Sequence, residues 1–241
     1  MNERREAAAP PPVGAEAWKQ TLKYEEEPML SLALRWPTLP DTGAALRRVD
    51  RCCRRTAGAW RDRWTGPLAR EAAAAAAAAR EQSRPIRPWE ARLDFTITYR
   101  ENGLLSLFWE AYEYTGGAHG TTVRFGDTWD LATGTPRSLW SFFPSRSRPK
   151  RQLLAAAREQ IRQRLAAGES LYYDDWPRRL SADFSPDRFY LTEGDRLAFF
   201  YPLYTLAPYA EGLPVFSIPC PLSLSCEKEE NSGPKNCKKN Q

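Results

Sequence analysis

Hydrophobic periodicity predicts a strand followed by a helix in the N-terminal part of the chain. Residues 29–36 alternate apolar and polar side chains, which is typical of a half-buried strand. A helix is predicted to begin near Ala44, with Asp41 or Thr42 as its N-cap. Its apolar residues recur at three- and four-residue steps: Leu46, Val49, Cys53, Ala57 and Trp60.

A second helix is predicted from Arg70 to Glu81, which enclose eight consecutive alanines. Alanine has the highest intrinsic helix propensity, but a run of identical small side chains does not specify how a helix packs. We therefore expect this helix to be a mobile arm or an exposed extension. Residues 83–88 contain two prolines and predict a break between two lobes.

The clearest local pattern is a β-hairpin around Asn102-Gly103. Residues 93–99 and 105–109 alternate apolar and polar positions on either side of it. Asn-Gly is a favoured two-residue hairpin turn because both residues tolerate positive φ. The two segments are therefore predicted to pair as antiparallel strands.

The C-terminal half predicts one more amphipathic helix and several short strands. Ser147 is expected to cap the helix, Pro149 to lie in its first turn and Gly168 to end it. Its apolar row repeats every four residues: Leu153, Ala157, Ile161 and Leu165. Further strands are predicted at 123–129, 189–192, 197–201 and 215–218, with turns at 130–134 and 193–195 and a helical turn at 139–143.

These elements predict an α+β protein, with a mainly antiparallel sheet and two or three packed helices in two contiguous lobes. The predicted organisation has four parts. They are a disordered N-terminus (1–17), a strand-helix module (18–88), a larger C-terminal module (89–222) and a disordered tail (223–241).

Composition narrows the classes of function. The 241 residues carry a net charge of +5, which is too ordinary to indicate a nucleic-acid partner. No run approaches the roughly 20 apolar residues of a membrane span, and the N-terminus lacks the apolar core of a signal peptide. Among the five cysteines, a Cys220–Cys226 disulfide is compatible with export of the chain.

The segment 112–120 is the main candidate site, because it holds the only histidine of the chain among three glycines. Glycine lets the backbone reach positive φ and approach a partner closely, and an imidazole both donates and accepts hydrogen bonds. The alternative is a wide turn or bulge whose imidazole is fixed by the backbone. The candidate ligand-binding residues here are Tyr112, Tyr114, Gly116, Gly117 and His119.

We expect no catalytic residue, metal site or cofactor. A hydrolytic triad needs a nucleophile and an orienting carboxylate beside the histidine, and the sequence contains no nucleophile-elbow pattern. One histidine also cannot supply the ligands of a metal-dependent deacetylase. The alternative is an enzyme that acts on an envelope polysaccharide, with His119 as its general base.

A second candidate segment combines aromatic rings with carboxylates. Such a loop offers a large contact area and charges that complement a basic partner. The alternative is a loop whose aromatic side chains tuck onto a sheet, and a calcium site from its two aspartates would lack a ligand loop of known spacing. Its residues are Tyr172, Tyr173, Asp174, Asp175 and Trp176.

The first predicted helix is rich in arginine. Such a helix suits a polyanion, although a solvated helix face is the alternative. The arginines, set against Asp50 and Asp62, are Arg47, Arg48, Arg51, Arg54, Arg55, Arg61 and Arg63.

Several blocks in a fixed order resemble the RsiV-like family. The first is the Tyr112–Gly120 motif with Asp130-Leu131-Ala132-Thr133-Gly134 and Leu139-Trp140-Ser141-Phe142-Phe143 behind it. Later blocks are Phe189-Tyr190-Leu191-Thr192, Leu197-Ala198-Phe199-Phe200-Tyr201, and Ala207-Pro208-Tyr209-Ala210-Glu211-Gly212 with Pro214. Trp36-Pro37 and the helix after it resemble the smaller module that often precedes these blocks.

This resemblance implies a non-catalytic binding or sensing domain of the extracytoplasmic type. In this family the outer domain of a membrane-anchored anti-sigma factor binds lysozyme. A similar module lies beside the deacetylase domain of PdaC-type peptidoglycan deacetylases. The implied partner is lysozyme or a peptidoglycan-related glycan at the cell envelope. The anti-sigma segment, the anchor and the deacetylase domain of these relatives have no counterpart in the 241 residues.

Overall fold

A computed structural model describes residues 11–222 as two β-sheets and four α-helices around two main hydrophobic cores. The larger sheet consists of β1 (Gly14–Tyr24), β2 (Glu27–Thr38), β3 (Trp89–Tyr99), β4 (Leu104–Tyr114), β5 (Thr121–Asp130) and β6 (Thr135–Pro136). The smaller sheet consists of β7 (Phe189–Thr192), β8 (Arg196–Phe200) and β9 (Val215–Pro219). The helices are α1 (Ala44–Arg63), α2 (Ala69–Glu81), α3 (Pro149–Ala166) and α4 (Trp176–Ala182).

The predicted α+β class is confirmed. Neighbouring strands are antiparallel except for β2 and β3, which pair in parallel because the helical segment between them returns the chain to the same end of the sheet. The predicted hairpin is also confirmed, with Asn102 at φ 53° and Gly103 at φ 73° in the turn between β3 and β4. Both residues have the positive φ of the expected turn.

One long helical segment covers the first core. A π-helical turn, Trp64–Leu68, joins α1 directly to α2 and contains Pro67. Proline lacks an N–H and clashes with the preceding turn of a regular helix, so the wider π-turn lets the helix continue. The residues that this segment buries against β2 to β5 are Val49, Cys53, Ala57, Trp64, Leu68, Ala72 and Ala76.

The polyalanine helix is part of this core, so the expectation of a mobile arm or an exposed extension is wrong. Ala72 and Ala76 are 2% and 3% exposed and face the sheet. A side chain of one carbon lets the helix backbone come close to the sheet. This close packing positions the helix on the sheet, as interdigitating larger side chains would otherwise do.

The predicted N-terminal caps are not used. Gly43 holds the N-cap position of α1 without a side-chain cap, and Asp41 instead pairs with Arg47 at 2.7 Å. At α3 the N-cap position belongs to Arg148, and the Ser147 hydroxyl has no hydrogen-bond partner within residues 11–222. The end of α3 at Gly168, with φ 66°, is as predicted.

The N-terminal disorder predicted through residue 17 is wrong for its last residues. The edge strand β1 starts at Gly14 and pairs with β2 over its whole length. Its Trp18 and Leu22 pack against the first core, and this burial outweighs the polar character of the strand. Residues 1–10 and 223–241, and with them Cys226, lie outside the described residues.

The predicted module boundary at residues 88/89 falls inside the larger sheet, between β2 and β3. The first core draws on both sides of that boundary, and the second core is formed by α3, α4, the smaller sheet and the end of the β3–β4 hairpin. In α3, Leu153, Ala157 and Ile161 are fully buried, whereas Leu165 is 41% exposed. The apolar row is therefore one turn shorter than predicted.

The smaller sheet packs against the larger one through β7, its edge strand, which lies on the face formed by β4 and β5. The backbone of Tyr190 pairs with β8, so the backbone groups of Phe189 and Leu191 point toward the larger sheet. The Leu191 N–H donates to the Ser106 hydroxyl at 2.9 Å, and that hydroxyl lies 2.7 Å from the hydroxyl of Thr128. A buried N–H without an acceptor is costly, so these two hydroxyls make the contact between the sheets feasible.

A glycine in β5 also permits the contact between β7 and the larger sheet. A Cβ on Gly126 of β5 would overlap the carbonyl oxygen of Phe189. Only a residue without a side chain lets the backbone of β7 lie directly on the larger sheet at this point.

We predict that Ser106→Ala lowers the free energy of unfolding by about 1–3 kcal/mol, because it leaves the buried Leu191 N–H without its acceptor. Denaturant unfolding measures this change. Ser31→Ala is the matched control, because Ser31 is exposed in the same sheet and its loss should change stability by less than about 0.5 kcal/mol. Equal effects of the two substitutions would show that the Ser106 hydroxyl does not hold the sheets together.

Candidate functional site

The histidine lies where two loops meet. The loop 115–120 joins β4 to β5, and the loop 201–214 joins β8 to β9. The His119 ring stacks on Tyr209, with ring centroids 3.8 Å apart and planes 13° apart, and Tyr204 lies 6.2 Å from it by ring centroid. These three rings form a surface cluster, which we name the His119 cluster.

Hydrogen bonds at both ring nitrogens define how the imidazole is held. Nδ1 lies 3.1 Å from the carbonyl oxygen of Gly120, and Nε2 lies 3.0 Å from the Tyr204 hydroxyl. A carbonyl oxygen only accepts, so Nδ1 carries the proton and donates. In the neutral ring Nε2 then accepts from the Tyr204 hydroxyl, which fixes both the tautomer and the ring orientation.

Tyr204 has an unusual backbone conformation. Its φ is 61°, in the left-handed region that bulky residues rarely adopt, and its side chain is 43% exposed. A strained backbone persists only when the surrounding structure enforces it, and such residues cluster at functional sites. This backbone conformation places the exposed Tyr204 ring beside the histidine.

The predicted glycine roles are only partly found. Gly116 has φ 88°, as expected for a loop glycine, whereas Gly117 does not have positive φ. A Cβ on Gly120 would overlap the ring of Tyr112, so that tyrosine supports the loop from the side of the sheet. The guanidinium of Arg92 also packs on this tyrosine, 5.2 Å from the Tyr112 ring centroid.

Tyr114 lies on the same strand face as Tyr112, next to the loop. Between them, Glu113 points to the opposite face of β4. Its carboxylate accepts hydrogen bonds from Arg63 Nε at 2.9 Å and from Trp64 Nε1 at 2.8 Å. Burial raises the pKa of Glu113, but these hydrogen bonds and the Arg63 charge together outweigh burial and hold the pKa below its usual 4.5.

The second candidate segment is used mainly within the protein. The Tyr172 hydroxyl accepts a hydrogen bond from Arg164 at 3.0 Å, and both Tyr172 and Trp176 pack against the second core. The Arg179 guanidinium lies 4.9 Å from the Tyr173 ring centroid. For these aromatic rings the alternative of tucking against the fold is the better description.

The two aspartates of this segment differ. Asp175 occupies the N-cap position of α4 and pairs with Arg179 at 2.6 Å and Arg178 at 3.3 Å. The hydrogen bond from Arg179, followed by that from Arg178, lowers the pKa of Asp175. Asp174 is exposed beside it.

The fold brings both predicted segments to the same loop. The Tyr173 N–H donates to the carbonyl oxygen of Leu206 at 3.0 Å, and the Leu171 N–H donates to Glu211 at 2.8 Å. Both acceptors belong to the loop 201–214 that also carries the tyrosines of the His119 cluster. Sequence reasoning did not select Tyr204 or Tyr209 as site residues, although the Ala-Pro-Tyr block contained Tyr209.

The arginine-rich face of α1 is largely paired with acids, which favours the alternative of a solvated helix face. Arg54 pairs with Glu16 at 2.7 Å and with Asp50 at 2.8 Å. Arg63 pairs with Glu113, and Arg47 with Asp41.

Two groups with raised pKa values lie outside the His119 cluster. Asp127 of β5 is partly buried and accepts a hydrogen bond from Trp109 at 2.9 Å, and burial raises its pKa. Burial, together with the nearby Asp127 charge, also raises the pKa of the Cys53 thiol. Within residues 11–222, no three or more His, Cys, Asp or Glu side chains are grouped to hold a metal ion. No helix in that range is long and apolar enough to span a membrane.

Two family models match successive parts of the chain. Residues 64–122 match the model described as deacetylase PdaC, and residues 141–220 match the model described as a protein of unknown function, DUF3298. Two parts of the chain are therefore similar to these two families. The first match includes the loop of His119, and the second includes the loop of its two tyrosines. The His119 cluster thus draws on residues from both matched segments.

Solved structures of DUF3298-family proteins share the fold. One from Bacteroides fragilis has a TM-score of 0.65 at 16% identity, with 89% of this chain and 92% of that chain covered. One from Pseudomonas aeruginosa PAO1 has a TM-score of 0.58 at 21% identity, with 88% and 92% covered. No curated protein matches the chain at a significant level.

We predict that Glu113→Gln lowers the free energy of unfolding by about 1 kcal/mol near pH 7, because it weakens a hydrogen-bonded ion pair that is partly exposed. A depressed carboxylate pKa contributes stability above the unfolded-state pKa, and this contribution is lost as pH falls through the folded-state pKa. The difference from the unmodified protein should therefore shrink below about pH 4. Denaturant titrations at several pH values test this, with exposed Glu169→Gln as the control. A difference that stays constant down to pH 3 would contradict the prediction.

We predict that Tyr204→Gly gives a more stable protein than Tyr204→Ala, by about 1 kcal/mol, because only glycine adopts positive φ without strain. Both substitutions remove the ring, so their difference measures the backbone alone. Exposed Leu171 lies outside the positive-φ residues, so there alanine should be more stable than glycine. Thermal unfolding of the four variants measures both differences, and the same order at both positions would mean that Tyr204 is not strained.

Proposed function

We propose that this protein is a non-catalytic binding domain whose recognition surface is the His119 cluster with its flanking loops. The proposed partner is lysozyme at the bacterial cell envelope, by resemblance to the RsiV-like family. The single observation that carries the proposal is the stack of His119 on Tyr209, with the exposed Tyr204 ring beside it, on two loops that follow strands of the two sheets.

The geometry of the cluster supports binding. Large aromatic side chains that are already ordered contribute contact area at little entropic cost. His119 is held at both nitrogens and Tyr204 is held by its backbone conformation, so the surface is organised before a partner arrives. A preorganised surface of this kind is typical of a recognition site.

The hydrogen bonding of His119 also supports a non-catalytic role. A general base needs a free lone pair that faces the substrate. The Nε2 lone pair of His119 accepts from Tyr204, and the Nδ1 proton is held by the Gly120 carbonyl, so neither nitrogen is directed at an open site. The residues hydrogen-bonded to the ring supply neither the carboxylate nor the serine or cysteine of a hydrolytic triad.

Charge limits how such a partner binds. The chain carries +5, so a basic protein such as lysozyme is not attracted by net charge. The contact must therefore depend on local aromatic packing, helped by nearby carboxylates such as exposed Asp174.

We predict that lysozyme binds in isothermal titration calorimetry and that His119→Ala and Tyr209→Ala each weaken binding by about tenfold or more. Trp140→Ala is the matched control, because Trp140 is 41% exposed, as Tyr204 is 43% exposed, but its ring lies beside Phe184 and outside the His119 cluster. It should leave the affinity unchanged within about twofold. Circular dichroism confirms that each variant is folded.

Three other outcomes would change the proposed partner or the proposed surface. No heat of binding with folded protein would remove lysozyme as the partner. Binding that survives both substitutions would place the surface elsewhere. Binding of a chitooligosaccharide in place of lysozyme, lost in the same two variants, would keep the site and assign it to a peptidoglycan-related glycan.

A further inference from the structure

An open groove lies at the start of α3, and none of its lining residues belongs to the His119 cluster. It measures about 580 Å³ and runs between the helical turn Leu139–Phe142 and the first three turns of α3. Its lining residues are Trp140, Arg148, Pro149, Lys150, Arg151, Leu154 and Arg158.

The groove lies in a segment of the sequence that carries only positive charges. Residues 131–158 contain six lysines and arginines and no aspartate or glutamate, whereas the whole chain carries only +5. Within residues 11–222, none of the four cations that line the groove lies within 4 Å of a carboxylate, in contrast to Arg54 and Arg63 of α1. Arg158 donates instead to the Ser181 hydroxyl at 2.9 Å, which fixes its position.

The floor of the groove is apolar and aromatic. Trp140 is 41% exposed, and its ring lies 6.2 Å from the Phe184 ring by centroid. The Lys150 ammonium lies 5.4 Å from the same Phe184 ring, while Leu154 closes the floor and is 7% exposed. A fixed tryptophan face is therefore presented to solvent between cationic side chains.

We propose that this groove binds an acidic polysaccharide strand. The C–H face of a sugar ring packs on an exposed tryptophan ring, and arginines bind carboxylate, sulfate or phosphate substituents through paired N–H groups. An open groove accepts a segment of a polymer, whereas an enclosed pocket would accept only a free sugar. The proposal does not depend on the proposed lysozyme contact, because it uses other residues.

Two other polyanions fit the groove less well. Single-stranded nucleic acid is bound by rows of aromatic side chains on which successive bases stack, and Trp140 is the one exposed ring lining this groove. A membrane surface is bound by an apolar face that protrudes into the lipid, whereas this apolar floor lies behind a cationic rim. The observations therefore favour the acidic polysaccharide.

Calorimetry and affinity chromatography with a size-defined heparin oligosaccharide test the proposal, with neutral dextran as the ligand control. We expect binding to heparin but not to dextran, and an affinity that falls with rising salt. Arg148→Ala with Arg151→Ala should weaken binding by about tenfold or more, and Trp140→Ala by about fivefold or more.

The charge-matched control is the double substitution Arg51→Ala with Arg55→Ala. It removes the same two charges from the exposed face of α1 and should change the affinity by less than about twofold. An equal loss in both double variants would overturn the proposal in favour of diffuse electrostatics. The proposal would also be overturned if heparin did not bind, or if Trp140→Ala bound heparin as tightly as the unmodified protein. Tighter binding of oligo-dT or of anionic vesicles, with the same dependence on Trp140, would reassign the groove to nucleic acid or to a membrane.

Discussion

The structure depends on the contact between the two sheets, in which backbone groups at the free edge of the smaller sheet find hydrogen-bond partners on the face of the larger sheet. β7 has β8 on only one side, so the backbone groups of Phe189 and Leu191 need partners on the other. Ser106 and Thr128 supply hydroxyls, and Gly126 supplies the space for the backbone to come close. Ordinary hydrophobic packing alone would have left a buried N–H without an acceptor, which is why two small polar residues lie in an otherwise apolar interior.

This contact also positions the candidate site. Because the smaller sheet stands on β4 and β5, the loop after β8 reaches the loop after β4, and two tyrosines meet the lone histidine there. The histidine is then held by a backbone carbonyl and a strained tyrosine, so the cluster belongs to neither sheet alone.

The protein presents two surfaces of different chemistry. The His119 cluster is aromatic, with both nitrogens of the imidazole hydrogen-bonded within the protein, which suits contact with another folded protein. The groove at the start of α3 keeps its cations without acidic partners within residues 11–222 and exposes one tryptophan, which suits a charged polymer. The two surfaces can be tested separately because they share no residue.

The sequence alone determined the elements with a strong local signal. Asn102-Gly103 specified a hairpin because few residues tolerate positive φ, and the row of Leu153, Ala157 and Ile161 specified a helix face because its period matches the helical turn. Where the local signal was weak, prediction was wrong. The burial of the polyalanine helix and the strand starting at Gly14 were decided by packing against neighbours that are distant in the chain. For the same reason, only the tertiary structure joined His119 to Tyr204, 85 residues away, since no periodicity links two loops whose contact depends on sheet-to-sheet packing.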